Sequence, residues 1–413
     1  VTSPKSARGL FLPQIESIRG FAALAVAWSH CGFCLLFAPI VPTSRIESWL
    51  QTAIGLSVWI ANARGAVILF FVISGLVLSL MLDAARGRGG PRGYAGFLVR
   101  RVLRIYPAHL AALLLFVPLA AMTLFRVPVL DPERLAAAPL DPRLWFDGTV
   151  YGHLSAWQLL KTGALYDQFY NGVTWSLRVE MQACLAVPLL AWLSRGGRLG
   201  LDMLVLAALT GAALAVDVGV RPDSVFLYLP AFYLGAIART HGARAVALLA
   251  RRRWAPEAAL LVSYLVLVGP AYWAQIATVK TWLLLDMSLG AFGIVAILAW
   301  HRTALLDRVL LHPAARFLGR ISYSFYLWHW LMMCAAARLL FIAVPADAIA
   351  RRPFLVLGGV TTISVAIAVG IAALSYRWVE KPCIALGRRL GLRIAGGSPD
   401  SGVPVPAELA TAP

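Results

Sequence analysis

The chain has 413 residues, of which 60% are hydrophobic and only 14% charged, with a mean hydropathy of +0.76. A soluble domain carries about a quarter charged residues, so this composition excludes an ordinary soluble enzyme and indicates a polytopic membrane protein. The net charge of +18 does not mark a nucleic-acid binder, because the cations sit in short clusters between apolar stretches, a pattern of membrane topology and anionic-lipid contact.

Residues 1–14 are too short and too polar for a signal peptide and are expected to form a cytoplasmic N-terminal segment. The next stretch, IESIRGFAALAVAWSHCGFCLLF from Ile15 to Phe37, is long enough to cross a bilayer as a helix, yet it contains Glu16, Arg19 and His30, which are costly in hydrocarbon. Arg19 and His30 are eleven residues apart. At 100° per residue they share one helix face, separated by roughly 16 Å along the axis. Either Arg19 snorkels to a headgroup and His30 bonds a neighbouring helix, or this face is a functional one. Cys31 and Cys34 have a redox-like spacing, but within lipid they read as small apolar residues, as do Cys184, Cys334 and Cys383.

Hydropathy predicts an all-α fold of about ten transmembrane helices, near residues 15–37, 60–82, 104–125, 174–193, 200–217, 224–239, 256–273, 282–300, 318–340 and 354–378. Together they make one membrane domain over 15–382. The even-numbered connections are rich in arginine and are expected on the cytoplasmic side with both termini; Arg351 and Arg352 fall against this rule. The connection 126–173 is long and contains Pro128, Pro132, Pro139 and Pro142. It reads as an extracytoplasmic loop with a short interfacial helix near 153–165 carrying Trp157, and serves either as a cover over a site or as inert surface. Residues 383–413 are expected to be a disordered cytoplasmic tail, since the chain after Arg393 is Pro/Gly-rich and aperiodic.

Isolated polar residues cluster at two depths. His30, roughly 22 Å up the first span, and Glu180, roughly 9 Å below the outer boundary on the antiparallel fourth span, can share a level. Glu180 could then orient His30 as a general base, or the two could staple two helices. Near the cytoplasmic side RRVLRIYP puts Arg101 and Arg104 one turn apart, with Arg19 at a similar level. Guanidiniums there suit phosphate oxygens, although topology alone also accounts for Arg100 and Arg101. In SYSFYLWH, Ser322, Tyr326 and His329 lie on one face, as a polar path or an aromatic packing stripe. Ser74 and Gly75 in FFVISGL read as a close-packing element. The histidines are scattered, so no metal site is expected.

Six segments in order, IESIRGFAALAVAWSH, FFVISGLVLSL, RRVLRIYP, GVTWSLRVE, SYSFYLWH and YRWVEKP, resemble the acyltransferase type 3 family of integral membrane enzymes. The resemblance implies a bacterial inner-membrane O-acyltransferase that moves an acyl group, acetyl or longer, from cytoplasmic acyl-CoA such as acetyl-CoA to a hydroxyl of a cell-envelope glycan. It implies catalytic His30, donor-binding Arg19, Arg101 and Arg104, and motif roles for Ser74, Trp175, Ser176, Glu180, Tyr326 and His329. Glu16 stands where the family usually has aspartate, and the extracytoplasmic hydrolase-like domain that some relatives carry is not expected after the tenth span. The competing classes are a transporter or flippase of an envelope precursor, which would use the polar residues as a substrate route, and a non-enzymatic envelope scaffold. Neither nucleic acid nor metal is an expected partner.

Overall fold

A computed structural model describes residues 12–37, 44–84, 90–121, 155–216, 224–274, 281–344 and 351–396. Among these residues every regular element is helical: α1 (Pro13–Phe37), α2 (Arg45–Ala61), α3 (Ala63–Ala84), α4 (Gly90–Ala121), α5 (Ala156–Gly163), α6 (Trp175–Ser194), α7 (Leu199–Val216), α8 (Leu229–Leu249), α9 (Ala255–Ala274), α10 (Thr281–Trp300), α11 (Ala304–Leu310), α12 (Pro313–Ala343), α13 (Pro353–Ser375) and α14 (Lys381–Ile394). Helices are what such apolar runs must form in lipid, where each backbone N–H and C=O has to be satisfied within its own segment. Among the described residues six segments are long and apolar enough to cross a membrane. The ten expected stretches coincide largely with helices over their described parts, the second being split at Asn62 and the sixth entering its helix through a 3-10 turn at Val225–Leu227.

Two helices depart from the reading above. Residues 45–59, expected in a connection, form α2 together with the first two residues of the expected second span, with Ser44 accepting from the Glu47 amide as its N-cap. Arg45, Glu47, Gln51 and Thr52 dilute its hydropathy, so it does not stand out as apolar. Asn62 separates it from α3 in a left-handed conformation, φ 38°. The Asn62 side chain accepts from the Gly65 amide at 3.0 Å and donates to Leu267 O at 2.8 Å, so one residue ends α2 and caps α3. The second departure is α14, which lies where a disordered tail was expected from 383. It packs along α4, with Gly96 and Gly391 facing so closely that a Cβ on either would meet the other's carbonyl. Residues 397–413 and 126–154 lie outside the described residues.

The core has two clusters. One gathers residues of α3, α6, α8 and α10 around Phe71, Phe232 and Tyr233. The other gathers α1, α4, α12 and α13 around Ile105, Phe325 and Leu327. At the α3–α8 crossing, Gly75 and Gly235 each approach the other helix's backbone, with no room for a Cβ, as the FFVISGL motif predicts.

Candidate active site

The site is built on the contact between α1 and α12, which run parallel. At their feet a Cβ on Gly20 would lie 2.6 Å from Gly319 N and 2.7 Å from Leu318 C, so the backbones meet with nothing between them. Ten residues further along each helix, roughly 15 Å of rise, stand His30 and His329. Equal arms from one glycine contact therefore bring the two imidazoles together.

His30 Nδ1 lies 3.0 Å from His329 Nε2, and the rings stack with centroids 5.3 Å apart at 11°. Trp330 meets His30 edge-on at 5.1 Å. His329 is 1% exposed, and its Nδ1 is 3.3 Å from Phe325 O. A carbonyl only accepts, so Nδ1 of His329 is the donor there and its Nε2 the acceptor in the neutral ring. His30 must then donate from Nδ1. The lone pair of His30 is accordingly on Nε2, the nitrogen suited to take a proton.

The segment leading into α6 and its first turn are tied to α12 beside this pair. Asn171 Nδ2 donates to Leu327 O at 3.1 Å, Tyr326 Oη donates to Val173 O at 3.1 Å, and Ser176 Oγ lies 2.9 Å from Tyr326 Oη. The expected interfacial helix is α5, with Trp157 68% exposed; His109 of α4 donates from Nε2 to Thr162 O at 3.0 Å and holds it down. Asp167, in the turn that follows, is disfavoured as an anion by its partial burial. Hydrogen bonds from Thr162, the Phe169 amide and Gln158, with Lys161 nearby, outweigh this and hold its carboxyl below the usual carboxylate range.

Glu180 does not orient His30. Its carboxylate is bonded to Arg101 and accepts from Ser74 Oγ at 3.2 Å. The reason is a depth error: Ser176 is level with Tyr326, Glu180 lies a turn below it and His329 nearly a turn above, a mismatch of about 10 Å. Arg101 also lies with Nε 3.4 Å from Cys184 Sγ and is only 6% exposed, so it is a buried helix-to-helix tie between α4 and α6. Arg19 and Arg104 remain half-buried. Arg19 adjoins Gly20, beside Leu318, and Arg104 adjoins Ile105, whose carbonyl accepts from Tyr323 at 2.7 Å. Both therefore sit within about 8 Å of one level along α12. Trp175 stacks away from the histidines, with Arg64 5.8 Å over its ring and Tyr228 5.6 Å distant.

Four partners escaped the sequence reading: Asn171, Trp330, Arg64 and Glu380. Glu380 is 2% exposed and accepts from Ser324 Oγ at 2.8 Å. It lies inside the YRWVEKP segment, the signal that could have found it.

Comparison with known proteins matches a family model described as an acyltransferase domain to residues 12–371. The chain belongs to this acyltransferase family. The chain is also 22% identical over 402 residues to the Bacillus subtilis (strain 168) protein named "Putative peptidoglycan O-acetyltransferase YrhL". That alignment takes in 92% of this chain and 56% of the relative, so the chain spans little more than half the length of the relative it matches. No solved structure matches it.

Proposed function

We propose that this acyltransferase is a ten-span bacterial inner-membrane O-acyltransferase with both termini in the cytoplasm, using acyl-CoA, acetyl-CoA in the simplest case, to esterify a hydroxyl of an envelope glycan. The observation that carries the reading is the His30–His329 pair, whose hydrogen-bond chain from Phe325 O leaves the lone pair on His30 Nε2. In the reaction His30 Nε2 removes the proton from the acceptor hydroxyl as its oxygen attacks the thioester carbonyl. Collapse of the tetrahedral intermediate expels the coenzyme thiolate, which takes that proton back, leaving an ester and free thiol. His329 acts on His30, accepting from Nδ1 and stabilising the imidazolium as it forms. Arg19 and Arg104, at a common level toward the helix feet, hold the donor phosphates. Arg101 serves as a positioning residue through Glu180.

The test is acetyl-CoA binding and free-thiol release by the purified full chain. His30→Ala should bind donor normally and turn over about 10²–10⁴-fold more slowly, whereas Arg19→Ala should lose binding. Wild-type turnover in His30→Ala would overturn the assignment of the base, and absence of donor binding by wild type would overturn the reaction class.

A further inference from the structure

Where α12, α13 and α14 meet, a cleft of about 390 Å3 is lined by Arg320, Arg377 and Lys381 together with Phe317, Ile321 and Tyr376. Its lining residues on α12, Phe317, Arg320 and Ile321, come eight or more positions before His329, roughly 12 Å of rise, so the cleft lies apart from the histidine pair. Among the described residues no carboxylate is ion-paired with any of the three cations. Three positive charges converging on one recess repel one another, and an anion relieves that repulsion.

The local backbone explains the convergence. Residues Tyr376–Glu380 form a turn of π-helix in which the Lys381 amide donates to Tyr376 O, five residues back. Such widened turns occur mostly at functional positions. Here the turn sends Glu380 inward to Ser324 Oγ, at 2.8 Å, while Arg377 and Lys381 open toward the cleft with Arg320 of α12.

The surroundings identify the anion. Trp378 is 68% exposed, Leu374 48% and Phe317 36%, so an aromatic and aliphatic margin flanks the charges, as at a membrane interface. Downstream, α14 carries Arg388, Arg389 and Arg393, a cationic face of the kind drawn to anionic leaflets. We propose that this cleft is a binding site for the phosphodiester headgroup of an anionic phospholipid. The two guanidiniums and the ammonium grip the phosphate oxygens, and Phe317, Ile321 and Ala373 border the first methylenes of an acyl chain.

Native mass spectrometry of the full chain, released from mixed micelles of phosphatidylglycerol and phosphatidylcholine, tests this directly. Wild type should retain phosphatidylglycerol selectively. Arg320→Gln/Arg377→Gln/Lys381→Gln should bind it about 100-fold more weakly, from roughly a factor of five per cation. The doubly substituted Arg377→Gln/Lys381→Gln, which leaves α12 untouched, should show an intermediate loss, and Arg388→Gln/Arg389→Gln should keep selective retention. Unchanged retention in the triple variant, or equal loss in the Arg388/Arg389 control, would overturn the proposal. Displacement of the lipid by saturating acetyl-CoA in wild type, abolished in the triple variant, would instead assign the cleft to the donor's phosphates.

Discussion

Arg101 and Glu180 share a contact with little access to water, and such a pair behaves differently when halved than when removed. Loss of one partner leaves a buried charge uncompensated, at about 3–5 kcal/mol. Arg101→Met and Glu180→Gln should each lower thermal stability strongly, while the double variant should be milder than their sum; a double-mutant cycle on the purified protein reads this coupling. At Asp167 the matter is pH. Because its folded carboxyl titrates below the unfolded value of about 3.9, the stability it contributes is present above that value and lost as pH falls through the folded one. Melting midpoints followed from pH 6 to pH 3 should therefore fall more steeply in wild type than in Asp167→Asn. His30, His329 and Tyr326 were each legible as polar residues out of place in an apolar span, and Ser176 through the family resemblance alone. Their pairing was not, because counting residues along a helix gives a level to within a turn and says nothing of which neighbouring helix that level meets. Glu180 was misassigned for that reason.

Helix contacts here depend on the smallest side chains. A Cβ at Gly20 would stand 2.6 Å from Gly319 N, a separation backbone atoms must move to relieve. Gly20→Ala should cost about 1–3 kcal/mol through overpacking and, by spreading α1 from α12, lengthen the 3.0 Å contact of His30 with His329 and lower turnover. Gly211, on α7 with nothing within 4 Å of a Cβ, is the control: Gly211→Ala should leave activity unchanged and raise stability slightly. Melting and turnover measured on the two variants together check this. At this scale the long apolar helices were legible because hydropathy and length are sufficient evidence for them in lipid. α2 and α14 were not. Each mixes charge with apolar residues over fewer than eighteen positions, so the first reads as loop and the second as tail until its packing on α4 is seen.

Across the whole molecule one group of polar ties joins the ends of helices to neighbouring elements. Gln14 bonds Asp307, Arg239 pairs with Asp83, and Asp202 accepts from Tyr233 at 2.6 Å and lies 2.7 Å from His241 Nε2. The histidine pair lies at a distance from these, in the cluster built on α1, α4 and α12. The parallel course of α1 and α12 has a mechanical consequence. The glycine contact acts as the rivet of a pair of scissors whose blades end in the two imidazoles. With blades of roughly 15 Å, a change of about 4° in the angle between them displaces one ring against the other by about 1 Å, enough to break a hydrogen bond. A grip at the helix feet can thereby alter the contact between two imidazoles roughly 15 Å away.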